Sequence, residues 1–332
     1  MHNGFNLMDI WIPKYKELHI RDGVPSLKVG HKGEFRATLR GPDGRIKYTT
    51  GWRPNMILDQ GIAHFTGYYN GSFITPLSTA YVGTSATPTV QTMTGIQGTV
   101  LGSNTSQIVG ARTNLGTPNY EKVSIMSYVW SPASGEGTIN EFVICGAYTG
   151  SNGTLGAGLR QVMPAPIVKG PFDELTIDHK LTFQLPVTSN FGVMDISGED
   201  YDYEVGMFLV QNSSAGHTTV LRLNGEGNQS YAGTASRAPT ILEAKDATAI
   251  EMGGISGAYF YGGVLGGDYW QETRWTADVD WGPRDINYIY SPIIDYGMFT
   301  YFTKVSDGTP LSKTDTHEFK FNMRIISVRG TP

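Results

Sequence analysis

Apolar and polar residues alternate with a period of two along much of this chain. From Leu175 to Leu185 the odd positions read Leu, Ile, His, Leu, Phe, Leu, and the even ones Thr, Asp, Lys, Thr, Gln. From Phe319 to Ile325 the odd positions are Phe, Phe, Met, Ile, and the even ones Lys, Asn, Arg. Successive strand side chains point to opposite faces, so this period sets one face in a core and the other in water. Shorter runs at 33–40, 46–50, 79–83, 122–130, 139–145, 203–210, 217–223, 257–261 and 297–303 predict further strands. Clusters of Gly, Asn, Asp and Pro separate them. Gly41-Pro42-Asp43-Gly44 reads as a hairpin turn, because Pro presets φ and Gly accepts φ > 0. Asp307-Gly308 offers the same near the C-terminus. Many short strands at this spacing predict a mainly β fold of antiparallel β-sandwich, jelly-roll-like units with long loops.

Helical periodicity is scarce. Ile57, Leu58, Ile62 and Phe65 share one face of a short helix, predicted near 55–66, with Gly61 counting against it. Asn55 and Asp59 are placed to cap backbone groups there. Trp52, just upstream, is expected in the core. Ile241, Leu242, Ala244, Ala247 and Ile250 outline a weaker second helix. The segments 84–118 and 146–158, rich in Gly, Ser, Thr and Asn, are expected to be loops.

Composition shifts near Pro186, which ends a strong strand. It suggests an N-terminal arm over 1–32, a β-sandwich domain over 33–187, and a second β-rich domain, or a continuation of the first sandwich, over 188–332. The arm carries Trp11, Ile12 and Tyr15 without clear periodicity, as suits a segment that docks on another subunit.

Charged residues make up 17% of the 332 residues, below the average of about 25%. Such a weakly charged, polar surface suits extensive protein contact. The net charge is −5, and no run of basic residues marks a nucleic-acid footprint. Cys145 is the only cysteine, which rules out an intrachain disulfide and a zinc site built on several cysteines. It is expected to be a buried small hydrophobe. No stretch approaches about 18 apolar residues, so no inserted membrane helix is expected. The N-terminus has no signal-like apolar run, and the chain is expected to fold in a cytoplasm.

No metalloprotease, P-loop, nucleophile-elbow or complete EF-hand motif is present, so neither catalysis nor a cofactor is expected. Two constellations carry candidate chemistry. Asp200, Asp202 and Glu204 fall on one strand face beside Glu199. They suit a cation site or a glycosidase carboxylate pair. The plainer reading is a solvated edge strand whose charges block aberrant pairing. The second constellation is aromatic: Tyr259, Tyr261, Tyr269, Trp270, Trp275 and Trp281, interleaved with Asp268, Asp278, Asp280 and Asp285. Aromatic faces stack on sugar rings, while carboxylates take hydroxyls. The plainer reading is that these rings fill the core and subunit interfaces. His179, on the apolar face of its strand, reads as a core residue.

The order of motifs resembles virion structural proteins of tailed bacteriophages, of the tail, tail-fibre, collar or baseplate-associated kind. The strand and hairpin from Phe35 to Gly44 lead into Trp52-Arg53-Pro54-Asn55-Met56-Ile57-Leu58-Asp59-Gln60-Gly61, similar to a W-x-x-N-x-I-L-D-x-G element. Val82-Gly83-Thr84-Ser85-Ala86-Thr87-Pro88 resembles a VGTG-x-x-x-P strand and loop. Gly137-Thr138-Ile139-Asn140-Glu141-Phe142 resembles G-x-I-x-E-x, followed by Glu174-Leu175-Thr176-Ile177. Leu311 to Phe319 resembles a P-K-T-x-x-H-x-L lead-in to a final strand. The likeness spans 33–185 and, more loosely, 285–330. It implies a β-rich subunit of a symmetric virion assembly whose partners are its own copies and other virion proteins. Two alternatives stand beside it: a receptor- or glycan-binding tail-tip module using the 259–290 aromatics, and a polysaccharide-degrading enzyme using paired carboxylates.

Overall fold

In the computed structural model the description covers residues 16–65, 79–105, 107–114, 120–145, 157–186, 189–209, 231–234, 250–251, 258–265, 268–277, 282–293 and 296–330. Trp11, Ile12, Trp281, the 217–223 strand and most of the weaker helix at 240–250 lie outside them, as does Tyr15.

The fold is mainly β and largely antiparallel, as the alternation predicts. Its spine is the strand Ser26–Arg40, whose burial alternates residue by residue. On one edge, residues 30–40 pair with Glu174–Leu185, which pairs in turn with Tyr120–Trp130 and then Gln107–Asn114. The other edge is divided along its length. Its start runs parallel to the last strand, His317–Arg329, and its later part meets Arg53–Ile57 and Ile46–Thr49.

Two strands straddle sheets and turn the pairing into layers. Arg53–Ile57 leaves the spine and joins Ala157–Lys169. From there Gly137–Cys145, Thr79–Gly83 and Val100–Thr105 follow in order. Residues 100–105 run almost directly into 107–114, so the circuit of strands nearly closes. Near-closure leaves few unpaired edges, which is how a barrel avoids edge-to-edge association. Lys16–Asp22 plays the second straddling role: residues 16–19 lie parallel to His317–Lys320, and 20–22 meet Asn190–Ile196. That strand pairs with Glu199–Leu209, then Tyr296–Lys304, Tyr288–Ile293 and Tyr231–Gly233. The final strand also pairs with Asp268–Ala277, and that with Ala258–Leu265.

One face of the spine covers both layers. Phe35 meets Phe142 at 5.0 Å on the barrel side, and Phe302 stacks on Phe321 at 5.6 Å on the other. A single hydrophobic cluster joins Leu27, Ile177, Trp130, Met207 and Met323 across the 187/188 position.

Several placements differ from the expectations. Within the expected arm, residues 16–22 and 26–31 are strands of the sheet. Two strands, 100–105 and 107–114, occupy the expected long loop. The helix is shorter, Asp59–Phe65, and Asn55 sits on the strand before it. Trp52 is not a core residue: its ring lies on the outer face between Arg36 and Lys180, each 5.0 Å from the centroid. Two cations over one indole hold it there by their attraction to the ring face.

Candidate functional site

The most constructed polar site grows from the barrel strands 137–145 and 157–169. Their antiparallel register sets Val162 opposite Glu141 and Arg160 opposite Val143. Glu141 and Arg160 are therefore diagonal neighbours, and both are fully buried. Arg160 Nη2 lies 2.8 Å from Glu141 Oε2, and Arg160 Nε donates to the same oxygen at 2.9 Å. The backbone N–H groups of Ser85, Gln97 and Gly98 donate to Glu141 at 3.2, 3.1 and 2.7 Å. Arg160 Nη1 donates to Thr87 O and Thr89 Oγ1, both at 2.9 Å. Asn140 adds a bond from Nδ2 to Thr84 O at 2.8 Å.

All these partners belong to the segment 84–99. An ion pair buried without such bonds would cost more in lost hydration than it gains. Here four hydrogen-bond donors and the Arg160 charge answer the carboxylate, and the loop supplies three of the donors. The charge pair thus folds a Gly- and Thr-rich segment that has little apolar content to hold it. Met93 and Ile96 from the same segment pack on Val143, Cys145, Ala157 and Leu58, a second small core outside the sheet. Gly98 permits the approach, since a Cβ there would lie 2.5 Å from Ser85 N. Burial pushes the Cys145 thiol up to about 12, which keeps it unreactive. With its oxygens saturated, Glu141 has the form of a latch rather than of a general acid or base.

The acidic strip lies elsewhere. Glu199–Leu209 is an interior strand with a neighbour on each side, not the edge strand expected. Glu199 pairs with Lys304 at 3.1 Å. Among the described residues Asp200, Asp202 and Glu204 form no ion pair, and no three His, Cys, Asp or Glu side chains converge as a metal group. Their register neighbours on the outer face are Asp195, Val193 and Phe191 on one side, with Thr303 and Tyr301 on the other. Phe191 is 68% exposed and Val193 52%.

Five residues of the aromatic constellation lie on described strands. Tyr259 and Tyr261 pair in register with Thr273 and Gln271, while Tyr269, Trp270 and Trp275 pair with Ser327, Ile326 and Phe321. The Arg324 guanidinium lies 4.4 Å from the centre of the Trp270 ring. Arg324 is itself held by Glu272 at 2.7 Å, and Asn322 Nδ2 donates to Glu272 at 2.7 Å. One stacking face of Trp270 is thereby taken by the protein's own cation.

No protein-family model, no curated protein and no solved structure matches this chain.

Sequence reasoning quoted Glu141 and Thr84 as motif residues but gave neither a role. A single glutamate amid Ile139, Phe142, Val143 and Ile144 was the available signal, since a charge in an apolar strand must find a partner. Arg160 gave no comparable hint, because the prolines after it obscure its strand.

Proposed function

We propose that this protein is a structural subunit of a bacteriophage virion, a tail, collar or baseplate component that assembles as a symmetric oligomer. The observation that carries this reading is the outer face around Phe191 and Val193. Two apolar side chains stand more than half exposed on a strand paired along its length with Glu199–Leu209. Exposed apolar residues clustered on a rigid sheet mark a surface that a partner covers. The motif likeness supports the virion assignment, and its elements meet in one place: Asn140 donates to Thr84 O, the Ser85 N–H donates to Glu141, and Asp59 donates its N–H to Gln91 O. A subunit whose loops are latched rigid presents a fixed shape to its neighbours.

Sedimentation velocity of the full chain over a range of concentrations, with electron micrographs of the same samples, tests the reading. Rings, tubes or discrete oligomers are expected. A strict monomer at high concentration overturns it.

A further inference from the structure

Strand parity on Gly137–Cys145 sends Phe142 and Ile144 into the main cluster and sets Glu141, Val143 and Cys145 on the outer face of the barrel. The segment 84–99 lies over that face. Every one of its residues is described, and none lies in a strand or helix. Its two ends meet. Gly83 pairs with Val100, the Thr84 N–H donates to Thr99 O at 3.2 Å, and the Thr99 N–H donates to Thr84 Oγ1 at 3.0 Å. A surface segment closed at its base in this way is an Ω-loop. Met93 and Ile96 are its apolar anchors, while Ala86, Pro88 and Val90 face water. Its backbone is tied to the barrel by side chains rather than by a strand ladder. Few buried apolar contacts and no ladder put such a segment at the low end of local stability.

We infer that 84–99 is a hinged lid, which lifts off the outer face of the barrel as one unit about the Gly83–Val100 pair, with the Glu141–Arg160 pair as its catch. The catch holds both halves of the segment. Glu141 takes the N–H of Ser85 from the first half and those of Gln97 and Gly98 from the second. Arg160 holds Thr87 O and Thr89 Oγ1 from the first. When either half leaves, water reaches the pair and weakens every bond that the other half makes to it, so the two go together. The strands beneath keep their own ladders, to Ala157–Lys169 on one side and Thr79–Gly83 on the other. Their main core faces inward, so the barrel stays closed when the lid lifts. The lid covers an apolar strip of Leu58, Val143, Cys145 and Ala157, rimmed by Arg160 and Glu141. Closed is the resting state, and the catch sets access to the strip. None of this depends on how the protein assembles.

Cys145 reports on the lid, because it is the only cysteine and burial keeps it unreactive while the lid is closed. The full chain is mixed with an excess of a thiol-specific aryl disulfide, and labelling is followed at several urea concentrations beside global unfolding read from tryptophan fluorescence. Labelling is expected to run well ahead of global unfolding and to depend far less on urea, since lifting one segment exposes little surface. Glu141→Gln should speed it by at least about tenfold, through the bonds lost at the catch. Ile96→Ala should speed it by roughly fivefold, through the lost apolar anchor. The alanine variant leaves every strand and the catch intact, so it decides the matter where the glutamine variant is unstable. In native-state hydrogen exchange the amides of Ser85, Gln97 and Gly98 should open with one shared free energy. Labelling at the global unfolding rate, with the full urea dependence of global unfolding, overturns the lid. So does labelling that Ile96→Ala leaves unchanged. A Ser85 amide that opens with a different free energy from Gln97 and Gly98 overturns the single unit and its catch.

Discussion

At the residue scale the sharpest test is the Glu141–Arg160 pair. Removing one partner leaves a buried charge with nothing to answer it, a loss of about 3–5 kcal/mol. Glu141→Gln also removes the charge that three loop N–H groups bond, so amides near Gln97 and Gly98 should exchange faster. Urea midpoints and hydrogen exchange measure the two effects. Replacing both partners, as in E141L/R160M, should recover part of the stability but not the loop protection, because no acceptor remains for Ser85, Gln97 and Gly98. A second residue-scale prediction concerns His31 and His179, both fully buried in the spine layer. Burial pushes each imidazole from its ordinary 6.5 down to about 3. Between those values the unfolded chain binds protons that the folded chain refuses. Stability is therefore full above the unfolded value of 6.5 and falls as pH drops, by roughly 1.4 kcal/mol per pH unit for each histidine. Among the described residues the ring nitrogens of His179 have no hydrogen-bond partner, so His179→Leu orphans none of them. It should halve the histidine-linked loss between about pH 6.5 and 4, read from urea midpoints at several pH values.

At the scale of elements, the short helix Asp59–Phe65 is held by its surroundings rather than by propensity. Seven residues are too few to be stable alone. Leu58 N–H donates to Gly158 O at 2.9 Å, and Arg329 bonds Ile57 O at 3.0 Å while pairing with Asp59. A Cβ on Gly61 would lie 2.1 Å from Gly158 O. Gly61→Ala must therefore push the helix off its strand, at about 1–3 kcal/mol. Gly44→Ala has open space around it and only a φ of +77° to contend with, so its effect should be nearer 1 kcal/mol. Thermal melts of the two variants separate these causes. The same elements show how far the sequence could be read. The strands 174–185 and 317–329 were legible because alternation is unbroken over 175–185 and 319–325. Ala157–Lys169 was not: Pro164 and Pro166 fall inside it, where the pairing register shifts between Val162 and Ile167. Lys16–Asp22 was hidden by its charges, since Lys16, Glu17, Arg21 and Asp22 leave little apolar pattern. Residues 100–114 are Gly-, Ser- and Thr-rich and sit at sheet margins, where the hydrophobic signal is weakest. Of the candidate site, Glu141 was visible as a motif letter. Its meaning needed Arg160 and the loop, which only the folded chain brings together.

At the scale of the whole molecule, the last strand decides how the protein unfolds. His317–Arg329 pairs parallel with Lys16–His19 and with Ser26–His31 on one edge, and antiparallel with Asp268–Ala277 on the other. Its inner face, from Phe319 to Ile325, belongs to the cluster that contains Phe35 and Ile177. The barrel circuit and the second layer therefore share a strand and a core. Pairings between residues some 300 positions apart must form before either part is complete, which makes folding slow and all-or-none in character. Amides of Glu174–Leu185 and of Tyr296–Lys304, one from each part, should then open with the same free energy in native-state hydrogen exchange. Deleting residues 317–332 should abolish protection in both strands together, because it strips the spine of its parallel neighbour and the second layer of its facing wall. Protection kept in 174–185 after that deletion would show that the barrel circuit stands by itself and that the shared strand couples nothing.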